Sequence, residues 1–226
     1  MSKYKYQMHC HTAPCSHCGK TSPAELVDAL VAGGYKGVCI TNHFYNGNSG
    51  IDRDLSWHDF VAAYEKDWLE CKSFAKAYDL DILFGIEEGI GGGREILCYG
   101  LTPEMLYAHP ELREGKLELY HKALSPEGVV IIQAHPFRAR SYNTDIGVSP
   151  LEYIDGIEVF NDGNTPEANL EAESFASEHP DIILTSGADA HLPSQCCIGG
   201  IVTESRISSP EALAEILRNK AFSLLK

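Results

Sequence analysis

Several stretches of this chain end in residues that bind metals. His9-Cys10-His11 closes the first apolar run, and Asp189-Ala190-His191 closes one of the last. In each motif two metal-type ligands stand two residues apart, so on a β-strand both side chains project from one face. His43, Glu87 and His135 stand near the ends of other short β-like stretches, and His17 follows His11 by six residues. Strands that repeatedly end in His, Asp or Glu predict a polynuclear metal centre. Of the adjacent Glu87 and Glu88, which point to opposite sides of a strand, Glu87 is the one read as entering the site. His58, His109, His121 and His179 lack a ligand-type neighbour at useful spacing and are read as structural.

Such residues can meet only if the elements between them bring the strand ends together. Strand-like runs are read at 4–9, 37–41, 81–86, 95–99, 129–133, 154–160 and 181–185, with a short one at 201–203. Amphipathic helices fall between them: one opens at Ser22-Pro23, with Leu26, Val27, Leu30 and Val31 as its apolar stripe, and others cover 60–78 and 210–219. A further helical region runs to about Leu124. Gly91-Gly92-Gly93 reads as a tight turn between strands, since no helix N-terminus follows to make a phosphate cradle. β/α alternation implies a mainly parallel sheet with helical crossovers. Seven or so units predict a closed or nearly closed barrel within one α/β domain over residues 1–226, with the chemistry at the C-terminal strand ends.

Composition sets the outer bounds. With 226 residues, 44% apolar and 22% charged, the chain can bury a large core. No apolar run is long enough to span a bilayer and the N-terminus lacks the apolar core of a signal peptide, so a cytoplasmic location and no membrane partner are expected. A formal charge of −14 argues against a surface that tracks long nucleic acid, so none is expected as a partner. Bound divalent cations would reverse the field inside a pocket, which leaves a small phosphorylated substrate open. The eight cysteines read as reduced thiols, with Cys39, Cys71 and Cys98 as small core residues. Cys15-x-x-Cys18 and Cys196-Cys197 lack the paired spacing of a zinc knuckle.

The ordered motifs His9-x-His11 with His17, Thr41-Asn42-His43, Gly85-Ile86-Glu87, Ala134-His135-Pro136 and Gly187-Ala188-Asp189-Ala190-His191 resemble those of the PHP (polymerase and histidinol phosphatase) family over nearly the whole chain. The resemblance implies a distorted seven-stranded (β/α)7 barrel holding two or three divalent metals. It implies that His9, His11, Glu87 and Asp189 hold one metal. Glu87 would bridge to a second, shared with His135 and one further ligand, and His17, His43 and His191 would hold a third. Zinc, manganese and iron all suit such ligands. Two positions depart from the family: Asn42 stands where it usually has Asp, and Glu95, in Glu95-Ile96-Leu97-Cys98-Tyr99-Gly100, stands where similar short members carry a His ligand. Glu95 is read as the substitute oxygen ligand.

The implied reaction is hydrolysis of a small phosphomonoester or nucleotide by a hydroxide shared between metals, with Glu87, Asp189 and His135 at its centre. Arg138, in His135-Pro136-Phe137-Arg138, is the expected phosphate clamp, with Arg140 and Arg53 as further candidates. The loop after His43, rich in Gly, Asn and Asp, is expected to shape the pocket. Two other functions fit less of the pattern: an amidohydrolase-like C–N or lactone hydrolase, and a metal-binding domain without turnover.

Overall fold

The computed structural model describes residues 3–226. Its ten strands form two mixed sheets of five, which corrects the expected seven-stranded (β/α)7 barrel. In the first sheet, β1 (Tyr4–Gln7), β2 (Gly37–Ile40) and β3 (Asp81–Phe84) run parallel, while β9 (Gly200–Thr203) and β10 (Phe222–Leu225) extend the β1 edge antiparallel. In the second, β4 (Ile86–Gly89), β5 (Glu95–Tyr99) and β6 (Val130–Gln133) pair antiparallel, then β7 (Gly156–Asn161) and β8 (Ile183–Gly187) continue in parallel. Two local events break the barrel pattern. The run read as one strand at 81–86 is cut at Gly85, and its halves join different sheets. The next strand is reached by a hairpin through Gly91, Gly92 and Gly93, all at positive φ, instead of by a helical crossover.

The sheets pack face to face. Tyr6, Met8, Cys39 and Leu83 of the first share a core with Leu97, Tyr99, Val130 and Ile132 of the second. Because side chains alternate along a strand, Ile96, Cys98 and Ile131 point the other way, into a second core with helices α2 (Trp57–Ala75), α4 (Leu117–Leu124) and α5 (Pro166–Glu178). Helix α1 (Pro23–Ala32) starts at a Ser22–Glu25 capping box and buries Leu26, Val27 and Leu30. Helix α3 (Pro103–Ala108) and helix α6 (Pro210–Arg218) complete the set. No helix among the described residues is long and apolar enough to cross a membrane.

At the C-terminal rims the sheets touch through single bridges instead of continuous ladders. Cys10 pairs with Ala190 and His43 with Glu87, both in parallel sense. These two contacts lay the ligand motifs side by side.

Candidate metal centre

The Cys10–Ala190 bridge sets the faces. Cys10 and Ala190 turn into the apolar core, so His9, His11, Asp189 and His191 all turn the opposite way. On β4, Glu87 pairs with Leu97 of the inter-sheet core, which places it on the inner face together with Glu95. Glu88 points the other way and is fully buried, its carboxylate accepting hydrogen bonds from the Asn46 amides. Burial pushes the Glu88 carboxyl up to about 7 despite those hydrogen bonds.

Glu87 lies at the centre. Its carboxylate oxygens lie 3.0 Å from His9 Nε2, 3.2 Å from His11 Nε2, 3.0 Å from His43 Nδ1 and 3.1 Å from His135 Nε2. Glu95 reaches the same cluster, 3.4 Å from His43 Nδ1 and 3.5 Å from His135 Nε2. Asp189 Oδ1 stands 3.1 Å from His11 Nε2 and 3.5 Å from His9 Nε2. His135 (φ 29°) and Asp189 (φ 52°) both hold left-handed backbone, strain of the kind found where a site over-determines its geometry.

The electrostatics are those of a compressed ion cluster. Burial favours neutral Glu87, yet the charges of His9 and His43 outweigh it and hold its carboxyl well below the usual range. Asp189 is likewise held low against burial by His9, His11 and Arg138. Burial pulls His9 down, but Glu158, Glu87 and Asp189 together raise it well above an ordinary histidine.

The donor set fits divalent metals. His9 Nε2, His43 Nδ1 and Glu87 Oε2 are buried without an aligned hydrogen-bond partner, although each lies near an opposite charge. Three groups each offer donor atoms within 4.8 Å of one another: His9, His11, Glu87 and Asp189; His43, Glu87 and Glu95; and His11, Cys18, His43 and His191. His135 joins the second through its contacts with Glu87 and Glu95.

His17 is not brought in. It is exposed, and its neighbour Cys18 enters the third group in its place. Burial pushes the Cys18 thiol up, but hydrogen bonds from His191 and His43 and the charges of His43 and His11 overcome this and bring it to about 5. The Cys15-x-x-Cys18 pair therefore divides, with Cys15 in the apolar core and all eight thiols free. Arg138 lies beside the site, but its Nη1 donates to Asp189 Oδ2 at 2.6 Å, its Nη2 to Asn161 at 2.6 Å and its Nε to Asn164 at 2.8 Å. Three of its five N–H donors thus meet protein acceptors, one of them bracing Asp189, and Arg138 also lines the cavity. Arg53 donates to Tyr45 and Gly47 carbonyls within its own loop. Arg140 lines the mouth of a cavity of about 540 Å³, with Tyr142 beside it and the metal-type residues at its floor.

Sequence reasoning missed Glu158 and Gln7. Glu158 is 1% exposed and accepts from His9 Nδ1 at 2.9 Å and from the His135 amide at 3.1 Å. A carboxylate inside the apolar run Gly156-Ile157-Glu158-Val159 was the available signal. Holding Nδ1 fixes the tautomer that turns His9 Nε2 toward Glu87. Replacing Glu158 by Gln is expected to weaken metal binding on the order of 10–100-fold with the fold intact, and unchanged affinity in a metal titration would refute this role. Gln7, also fully buried, accepts from the Met8, His9 and Ala188 amides and so ties both ligand strands together.

The Asn42 departure has a structural reason. Asn42 Nδ2 donates to Asp67 Oδ2 at 2.9 Å, while Asn42 Oδ1 accepts from the Thr12 amide and Ser16 hydroxyl. A second carboxylate at 42 would face that of Asp67 in a buried pocket. Burial already pushes Asp67 up to about 6, against hydrogen bonds from Thr12 and Asn42. Its folded-state pKa exceeds the unfolded one, so its stabilising contribution is present below about pH 4 and lost as pH rises through 6. A shift of this size corresponds to about 3 kcal/mol. Asp67→Asn should therefore gain stability relative to the parent between pH 4 and 7 in urea unfolding, and a pH-independent difference would contradict it.

No protein-family model and no curated protein matches the chain. Solved structures do. One is a two-domain protein from Bacteroides vulgatus containing a predicted PHP-like metal-dependent phosphoesterase, with 17% identity, TM-score 0.69, and coverage of 99% of this chain and 64% of that one. A Bifidobacterium adolescentis protein assigned as a metal-dependent phosphoesterase matches at 17% identity and TM-score 0.58, covering 84% and 88%. The lesion-specific endonuclease Q of Pyrococcus furiosus matches at 14% identity and TM-score 0.64, covering 99% and 58%. Another endonuclease Q structure holds a 27-mer duplex with an abasic lesion at the active site. The expectation that long nucleic acid is no partner is thereby overturned. Net charge describes the outer surface, whereas the same fold elsewhere holds DNA at its active site. The resemblance of the ordered motifs to the PHP family is thereby supported at the level of the fold, without the closed barrel it implied.

Proposed function

We propose that this chain, with its PHP-like fold, is a metal-dependent phosphoesterase acting on a small phosphomonoester or nucleotide. The observation that carries the reading is the Glu87 carboxylate set among four imidazoles, with Glu95 and Asp189 on either side. His9, His11, Glu87 and Asp189 would hold one divalent ion, and Glu87, Glu95 and His135 a second. His43 and His191 would serve a third. Such ions, when bound, supply Lewis-acid charge to a phosphoryl oxygen and lower the pKa of water. Zinc, manganese and iron all suit these donors.

The chain's own residues do the rest. Glu158 fixes the His9 ring, and Arg138 fixes Asp189 by taking its outer oxygen. Arg140, at the cavity mouth with a single carbonyl partner, is placed to take a phosphate oxygen. Tyr142, 64% exposed at the same rim, offers a ring face to a base or aromatic leaving group.

The test is a substrate panel on protein stripped by chelator and reloaded with zinc, manganese or iron. Phosphate release from p-nitrophenyl phosphate and nucleoside monophosphates is expected. Cleavage of an abasic-site duplex without monoester hydrolysis would move the substrate to nucleic acid phosphodiesters. Turnover only of amides or lactones, or metal binding with no turnover, would overturn the reading.

A further inference from the structure

We propose that Cys18 is a thiolate ligand of the third metal position, where the ordered motifs imply His17, and that it biases that position toward zinc over manganese or magnesium. The inference rests on the metal-centre reading and adds to it a donor that changes the chemistry of one position.

Geometry carries the assignment. The Cys18 sulfur, one nitrogen each of His43 and His191, and one of His11 all lie within 4.8 Å of one another. The His11 ring packs between its neighbours, with centroids 4.4 Å from His43 and 4.7 Å from His191. Cys18 is half-buried and lines the cavity, whereas His17 is exposed and absent from the cavity wall.

The local fold explains why the neighbours exchange roles. Ser16 is buried, with its hydroxyl donating to Asn42 Oδ1 and accepting from the His43 amide. The His17 amide donates to the Asn48 carbonyl, and Gly19 N–H closes a turn back onto Ser16 O. This pinned turn directs residue 17 outward and residue 18 into the cavity. The six-residue spacing from His11 is therefore kept in sequence while the donor it would supply is displaced by one.

Binding would replace the proton that the Cys18 sulfur shares with its imidazole neighbours by a sulfur–metal bond, with that proton leaving to solvent and no oxidant or reductant required. Thiolate with imidazole is a borderline-soft donor set that zinc accepts readily and that manganese and magnesium, which prefer oxygen, do not. The other two positions, built from His and carboxylate, lack that preference.

Cobalt(II) reports the bond directly, because thiolate coordination gives a near-ultraviolet charge-transfer band that imidazole and carboxylate do not. The full chain, stripped by chelator and loaded with cobalt, is expected to show this band at an intensity set by one thiolate. Cys18→Ser should lose it while still binding cobalt at the other positions, and His17→Ala should keep it. As a second measurement, zinc should protect one thiol from alkylation in the parent and none in Cys18→Ser. Cobalt bound with no band, or a band that survives Cys18→Ser, would overturn the assignment and leave the metal centre standing. Failure to bind cobalt at all in equilibrium dialysis would overturn both.

Discussion

Replacing Glu87 by Gln is expected to cut phosphoester turnover on the order of a thousandfold or more while leaving the metal-free protein folded. Both Glu87 oxygens face imidazoles, and one of them has no hydrogen-bond partner of its own. Gln keeps the volume but loses the charge and one acceptor. Loss of the shared carboxylate should lower metal occupancy, and Lewis-acid stabilisation worth several kcal/mol goes with it. Each 1.36 kcal/mol of barrier is tenfold in rate. The check is kcat/KM for the variant under saturating metal, with circular dichroism and thermal unfolding run beside it. Retained turnover would remove Glu87 from the centre of the account. Lost turnover with a collapsed fold would be resolved by Glu87→Asp, which keeps the charge and should restore part of the activity.

The second large effect is structural. Gly156 begins β7, and a Cβ added there would lie 1.8 Å from the Ile183 carbonyl oxygen of β8 and 2.6 Å from its carbon. Both are backbone atoms paired in the ladder, so no side chain can move aside. Gly156→Ala must push β7 off β8, and those strands carry Glu158 and lead into Asp189. A cost on the order of 4–5 kcal/mol or more is expected, large enough to consume much of a domain's stability. Urea unfolding should show a sharply lowered midpoint or an insoluble product, and a midpoint equal to the parent's would contradict the close approach.

Much of the candidate site was legible because its residues follow strand periodicity. His9-x-His11 and Asp189-x-His191 announce a shared face by spacing alone, and the bridge between Cys10 and Ala190 sets them side by side. Alternation put Glu87 and Glu88 on opposite sides, and the place of Glu87 in Gly85-Ile86-Glu87 selected it. Glu95 also lies where the resemblance placed a ligand. Other features depended on contacts that one-dimensional patterns do not carry. Whether residue 17 or 18 enters the cavity is decided by Ser16 anchoring on Asn42, a contact across 26 positions. That Arg138 also braces Asp189 was not legible, because its acceptors, Asn161, Asn164 and Asp189, arrive from distant segments.

The fold was legible in its elements and less so in their closure. Most strands and helices fall near their expected ranges, but β10, α5 and the separate strand β4 were not read from the sequence. Helix α5 is weakly amphipathic and buries only Ala168, Ala172 and Ala176, so it lacks an apolar stripe of large residues. The barrel was inferred from counting β/α units. Strand direction is what decides the sheets, and the cut at Gly85 and the hairpin into β5 reverse it locally. Apolar runs carry no sign of direction.

Anomalous diffraction at the absorption edge of the bound metal, on crystals of the loaded full chain, tests the central claim most directly. The account predicts at least two peaks within bonding distance of the Glu87 carboxylate, one beside His9, His11 and Asp189 and the other beside His135 and Glu95. No peak in the cavity, or a single ion that Glu87 does not touch, would contradict it.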